Sequence, residues 1–418
     1  MFTDLVVPGR WPVGIEDGLA RSLTELLPGE WAKLAAGCGL YASEPYLLAV
    51  ERACRTASYY ILLRDGEGRL GAGLPCYLWS GEPDPGLDHY EPFQMGGRWA
   101  LSRRAREHLW RPTLLVGSRS GYRSSFVIAP WLEEQRQAVA WALAQKVAEL
   151  AERLGAASVG WMWLEPQTAS DLAVNLNNPE DLVLAGPNCS IPIPQSSFAS
   201  YLQQLSSSRR KSARREMERF SASGLTVERC PLSHCLEELA PLAVNLQRRY
   251  GHRTSPGDLL RELSAQAERL DDQSLVLVCR RDGTALAFTL LYRWEDTLYG
   301  RMAGFEYDRL RGSCAYFNLA FYEPIRAAVE MGVDRYHLGM AAWQTKVLRG
   351  AELEPAWIAV WAPGRVRGAW RRMARSRWGH DEDAGFWSEQ FPGMVKPGED
   401  WRWTVAGLRD HASAGLPV

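Results

Sequence analysis

Short apolar blocks and alternating positions occur in two stretches of the chain, and each stretch runs into a segment of helical period. In YYILLRDGEGRLGAGLPCYLW, Tyr59 to Trp79, two runs rich in β-branched and aromatic residues meet at Asp65-Gly66, the composition of a hairpin. RPTLLVGSRSGYRSSFVIAP supplies further strand, WLEEQRQAVAWALAQKVAELAERLG spaces its apolar residues as a helix closing on Gly155, and ASVGWMWL predicts a strand. The same order returns in the second half. SLVLVCRRDGTALAFTLLYRWEDTLYGRMAGFEYD reads as strands broken at Asp282-Gly283 and Glu295-Asp296, SCAYFNLAFYEPIRAAVEMG as a helix ending at Gly332, and RYHLGM as a strand.

Each half is therefore βββαβ, an internal repeat. The first half takes longer to reach its helix-ending glycine, which places an insertion at about residues 80 to 113, where Pro and Gly cluster. Between the halves, SSFASYLQQLSSSRRKSARREMERFSASG predicts a long helix or a helix pair, with Ser196 or Ser197 as N-cap and Phe198, Tyr201, Leu202 and Leu205 on one face. The expected fold class is α/β (α+β). Its expected domains are residues 1–190, residues 191–362 including the basic helical segment 196–220, and an Arg/Trp-rich tail, 363–418, packing on the body.

A chain of 418 residues is long enough for two cores. No run approaches the roughly 18 apolar residues of a membrane span, and MFTDLVVPGRWPVG has no basic leader, so a cytoplasmic protein is expected. Eight cysteines, at 38, 54, 76, 189, 230, 235, 279 and 314, form no C-x-x-C pair and no zinc spacing; reduced, mostly buried thiols and no metal are expected. A formal net charge of -1 argues against a general nucleic-acid coat, so any polyanion site is local. Of 18 tryptophans, seven lie beyond residue 356, which is why the tail reads as packed rather than free.

YLQQLSSSRRKSARREMERF, DTLYGRMAG, FYEPIRAAVEMGVDRYHLG and TKVLRGAELEP resemble the FemAB-like branch of the Gcn5-related (GNAT-fold) acyltransferases. Members commonly show a serine-led basic segment, a Leu-Tyr-Gly-Arg strand, a Tyr-centred helix ending in Gly, and a Lys-x-x-(Arg)-Gly close. The likeness covers about residues 195 to 362; the first half agrees in the order of its elements. It implies two tandem GNAT-like domains, each a mixed central sheet flanked by helices. Where relatives tend to carry His-Phe-Glu and a Gly-Glu-His-like run, this chain has Tyr316, Phe317 and Asn318, and Trp343, Gln344 and Thr345, so the acceptor pocket is expected to differ.

A GNAT fold parts its sheet between two strands, where the donor's acyl group enters, and brings the donor's phosphates to a helix N-terminus. RLRGSC supplies such a turn in Arg309, Arg311, Gly312 and Ser313; GSRSGYR, Gly117 to Arg123, is a weaker counterpart in the first half. The resemblance makes Lys346 the charge stabiliser beside the donor, the alternative being a surface lysine paired with Glu352 or Glu354. Amide formation needs a free amine, an activated acyl group and stabilisation of the oxyanion, with no covalent nucleophile. Glu306, Asp308 and His337 are the candidates for proton removal. Tyr299, Arg301, Tyr316, Asn318, Tyr322, Trp343 and Gln344 form the expected acceptor wall.

On a helical wheel, Ala213, Met217 and Phe220 share one face of the basic segment, while Arg210, Lys211, Arg214, Arg215 and Arg219 spread over the other. Glu216 and Glu218 are placed to neutralise part of that charge through neighbouring pairs. Arg209, Arg210, Lys211, Arg214 and Arg215, with Arg371 and Arg372 in the Arg/Trp tail, are the candidate tRNA contacts, since guanidinium groups on a rod meet successive phosphates. Three functions follow: an aminoacyltransferase that takes its group from aminoacyl-tRNA to an amine of a small specialised metabolite or cell-wall precursor, with no permanently bound cofactor; an acyl-CoA-dependent N-acyltransferase; and a non-catalytic RNA- or partner-binding protein on the same scaffold. Oligomeric state stays open, a monomer being one of the possibilities.

Overall fold

The computed structural model describes residues 2–81, 109–119, 121–177, 182–249, 254–340, 342–364 and 366–371. Two compact units are present: Met1–Pro187 with the described residues from Glu354 on, and Asn188–Leu353. Much of the expected insertion and tail, with Arg372, lies outside the described residues.

The first unit contains β1 (Ile15–Ala20), α1 (Glu30–Leu34), α2 (Glu44–Ala53), β2 (Ala57–Asp65), β3 (Leu70–Trp79), β4 (Thr113–Val116), β5 (Val127–Ile128), α3 (Arg136–Arg153), β6 (Ser158–Leu164) and α4 (Pro166–Val174). β1, β2, β3 and β4 pair antiparallel in that order and β5 adds to β3, whereas β4 and β6 run parallel. Such a parallel pair needs a crossover, and α3 provides it. Val139, Leu143, Val147 and Leu150 of α3 are buried, as its period predicts, and Gly155 follows at φ 64°. The β2–β3 hairpin turns later than its Asp-Gly pair implied. Asp65 Oδ1 accepts from the amides of Glu67 and Arg69, which moves the left-handed residue to Gly68, φ 81°.

β7 (Leu182–Pro192) leads into the second unit, which continues with α5 (Phe198–Gln204), α6 (Ser207–Ser221), β8 (Thr226–Cys230), α7 (Leu236–Arg249), α8 (Pro256–Leu270), β9 (Ser274–Arg281), β10 (Thr284–Trp294) and β11 (Thr297–Phe305). Then come α9 (Ala315–Phe317), a π-helical turn (Asn318–Tyr322), α10 (Glu323–Met331), β12 (Arg335–Gly339), α11 (Trp343–Val347) and β13 (Glu352–Trp361). The strand order is β7-β12-β11-β10-β9-β8, antiparallel except for β11 beside β12. Both units thus contain a parallel pair bridged by a helix, within a mixed sheet flanked by helices. The fold is that of two GNAT-like domains in tandem.

Asp282 and Gly283 both have positive φ, 50° and 76°, as a two-residue reversal requires. The helical segment from Ala315 to Met331 buries Leu319, Tyr322, Ile325 and Ala328 against Leu277, Leu291 and Tyr336 of the sheet. The stretch holding α7 and α8 carried no expectation from sequence, and Pro241 inside α7 interrupts its reading as a helix. From Glu354 on, β13 belongs to the first unit, where Trp357, Ala359 and Val360 pair antiparallel with β6. Among the described residues, no helix is long and apolar enough to cross a membrane.

Candidate active site

β11 and β12 run together only from Thr297 to Tyr299, opposite Arg335 to His337, and then part. β11 continues to Phe305 on its other partner, β10, but the register skips at Arg301, the extra residue of a bulge. β12 loses register between His337 and Gly339 at the same level. Bulges bend and twist a strand, so paired irregularities open a sheet where regular strands would have zipped.

The last carbonyls of β12 lie where the ladder has ended and need donors. Lys346 of α11 supplies them, its Nζ donating to the oxygens of Leu338, 2.7 Å, and Gly339, 2.9 Å. Its side chain is buried, and desolvation pulls the ammonium down from 10.5 to about 8, opposed by the nearby Cys189 thiol. Neither Glu352 nor Glu354 is its partner: Glu352 accepts from Arg335, and Glu354 lies beside Arg123 in the first unit. The surface-lysine alternative is therefore set aside by burial.

The loop into α9 turns at Gly312, φ 76°, and Cys314, φ 58°. Ser313 is buried, its Oγ donating to the Leu310 carbonyl and accepting from the Ala315 amide at the start of the helix, whose N-cap position is Cys314. Arg309 and Arg311 are exposed, and Arg311 pairs with Asp308 at 2.7 Å. One turn later the helix widens into its π segment, where Thr289 Oγ1 donates to the Leu319 carbonyl. Such turns occur often at functional sites.

The remaining candidates separate into groups. Tyr299 and His337 are buried with ring centroids 5.2 Å apart, at the point where the strands part. Arg301 forms an ion pair with Glu262 of α8 at 2.7 Å, both side chains under a tenth exposed, and Glu262 also accepts from Gln266. Glu306, just past β11, accepts from Asn245 of α7 at 3.2 Å. Tyr316 is exposed beside Phe305 and Phe317, Trp343 is half-buried against the core, and Gln344 is exposed. Arg371 is half-buried in a helical segment of the first unit.

Asn318 and Tyr322 do something the sequence reading missed. Asn318 donates to the Cys314 and Glu216 carbonyls, and the Tyr322 hydroxyl donates to the Glu216 carboxylate. Arg349 Nη2 lies 3.0 Å from both oxygens of Glu216, and the Arg349 guanidinium sits 4.0 Å from the Phe317 ring centroid. The Tyr201 hydroxyl of α5 closes the cluster on the Arg349 carbonyl. Glu216 therefore faces inward rather than screening its own helix, which corrects the expected neighbouring pairs; Glu218 is exposed. Ala213 and Phe220 are buried and Met217 packs on the core, while Arg209, Lys211, Arg214, Arg215 and Arg219 are exposed and Arg210 half-exposed. The Arg in Lys-x-x-(Arg)-Gly was the available signal for Arg349; Glu262 had no comparable one.

A family model described as FemAB-like, peptidoglycan biosynthesis/recognition, matches residues 112–366, more than half of the chain. The chain belongs to the FemAB-like family. Among solved structures, the C-terminal domain of a protein described as a lysylphosphatidylglycerol synthetase, from Agrobacterium fabrum, is 14% identical with a TM-score of 0.49, covering 83% of this chain and 94% of that one. FemX is 13% identical with a TM-score of 0.46, covering 79% and 90%. A tandem GNAT protein from the clavulanic acid biosynthesis pathway is 12% identical with a TM-score of 0.44, covering 84% and 99%. No curated protein matches the chain. Among the described residues of this FemAB-like chain, no group of three or more His, Cys, Asp or Glu is placed to hold a metal ion.

Proposed function

We propose that this FemAB-like protein moves an aminoacyl group from aminoacyl-tRNA to the amine of a cell-wall precursor or small metabolite, forming an amide. The observation that carries the reading is the Glu216–Arg349 pair: it ties the basic helix α6 to the short segment that also holds Lys346. A polyphosphate backbone lying along the exposed guanidinium groups would present its acyl end to a site fixed in the same rigid piece.

In the reaction, the acceptor nitrogen attacks the ester carbonyl of the donor, the tetrahedral oxyanion collapses, and the bond to the ribose oxygen breaks. Lys346 supplies positive charge near the developing oxyanion, within a buried setting where charge acts strongly. Glu306, held by Asn245, receives the proton of the attacking amine; Asp308 is engaged with Arg311 on the exposed loop. Tyr299, Arg301, Tyr316, Trp343 and Gln344 are assigned to the acceptor side.

A second reading keeps the site and makes acyl-CoA the donor. It is favoured by the Arg309-x-x-Gly312 turn, whose left-handed glycine leads into a helix start as a diphosphate site requires. Transfer of labelled amino acid by the purified protein, with and without ribonuclease and with free CoA as competitor, separates the two. Loss of transfer after ribonuclease is expected; transfer that survives ribonuclease and is blocked by CoA establishes the second reading.

A further inference from the structure

Cys230, the last residue of β8, and Cys235, just before α7, hold their sulfurs 3.3 Å apart, with the Cys230 thiol donating to Cys235 Sγ. The backbone builds this proximity. Pro231 and a 3-10 turn, Leu232–His234, fold the chain back through bonds from the His234 amide to the Pro231 carbonyl and from the Cys235 amide to the Leu232 carbonyl. The turn is anchored from outside as well: the Leu232 amide donates to Ser274 Oγ at 2.9 Å, and Ser233 donates to Asp271 through its amide at 2.8 Å and its hydroxyl at 2.6 Å. A disulfide bond is about 2.05 Å long, so closure asks for roughly 1 Å of sulfur movement.

We infer that Cys230 and Cys235 are a modification site: a dithiol that closes to an internal disulfide by exchange with a low-molecular-weight disulfide. Cys230 is half-exposed on an edge strand, and Cys235 is buried. The Cys230 thiol loses its proton, and the thiolate attacks one sulfur of the oxidant, breaking its S–S bond and releasing one thiolate. Cys235 then loses its proton and attacks Cys230 Sγ, forming the internal bond and expelling the second thiolate. Two protein thiols are oxidised, and one small disulfide is reduced to two thiols.

The bond ties the end of β8 to the start of α7. That helix stands behind the parted strands: the Leu242 backbone lies against Gly304 of β11, and Asn245 holds Glu306. Burial raises both thiols above their ordinary value, Cys235 the more, so exchange is slow near neutrality and quickens as pH rises.

The test treats the full chain with oxidised glutathione, alkylates remaining thiols under denaturing conditions and maps the peptides by mass. The expected product is lighter by two hydrogens, with Cys230 joined to Cys235, reversed by reductant and prevented by prior phenylarsine oxide, which bridges neighbouring thiols. Cys235→Ser stops at a glutathione adduct on Cys230. The oxidised chain melts higher than the reduced one, because the ring restricts the unfolded state. Two free, alkylatable thiols after treatment, a link mapped to other cysteines, or an oxidised chain melting at or below the reduced one overturns the inference.

Discussion

Glu216 and Arg349 form an ion pair at 3.0 Å between the inner face of α6 and the segment just past α11, with the Tyr322 hydroxyl on the same carboxylate. The pair holds a helix whose outer face is basic against the piece of chain that carries Lys346.

Removing one partner leaves the other poorly solvated and charged. Glu216→Gln is expected to cost about 2 kcal/mol of unfolding free energy, below the range for a fully buried pair because Glu216 keeps some exposure. Tyr322→Phe, which removes a single hydroxyl, costs about 1 kcal/mol. Denaturant midpoints of Glu216→Gln, Arg349→Met and the double variant measure the coupling, and additive losses would show that the two side chains act independently.

Lys346 carries a pH signature with a definite sign. Below about pH 8 the ammonium is charged in both folded and unfolded chains, and the fold bears its desolvation; between about 8 and 10.5 only the unfolded chain keeps the proton. Stability from this group therefore rises with pH through that window, by about 3 kcal/mol in all. Lys346→Met is expected to lack this rise, measured as the difference between the two proteins' unfolding free energies at pH 7.5 and pH 10. If Lys346 serves as the charged stabiliser, transfer falls as pH rises through about 8, and Lys346→Arg moves that limb to higher pH.

If the exposed arginines of α6 meet the donor's phosphates as proposed, they contribute to binding and little to folding. The pair of changes Arg214→Glu and Arg215→Glu is expected to shift stability by no more than about 0.5 kcal/mol, while weakening tRNA binding and flattening its dependence on salt. Fluorescence titration at several salt concentrations checks this. An unchanged salt slope would remove these residues from the donor site.

Two glycines near the site differ in what they tolerate. A Cβ on Gly304 would lie 2.4 Å from the Leu242 carbonyl carbon, so Gly304→Ala forces α7 away from β11. A Cβ on Gly312 meets open space, and Gly312→Ala suffers only from its positive φ, about 1 kcal/mol. Thermal melts should rank Gly304→Ala as the more damaging.

The repeated βββαβ order, the two helix-ending glycines and the two-faced α6 were legible in the sequence because each follows from local period and local backbone preference. A residue's place on a wheel or alternating strand depends on its near neighbours alone. The partners across space were not legible. That Glu216 reaches Arg349, that Lys346 is buried on the Leu338 and Gly339 carbonyls, and that Arg301 meets Glu262 depend on which elements pack together. The parting of β11 and β12 likewise comes from a bulge in one strand and a register break in the other, and neither irregularity has a period to read. Sequence determined the elements and their faces; tertiary packing decided which charges face inward, because burial makes an unpaired charge too costly to leave alone.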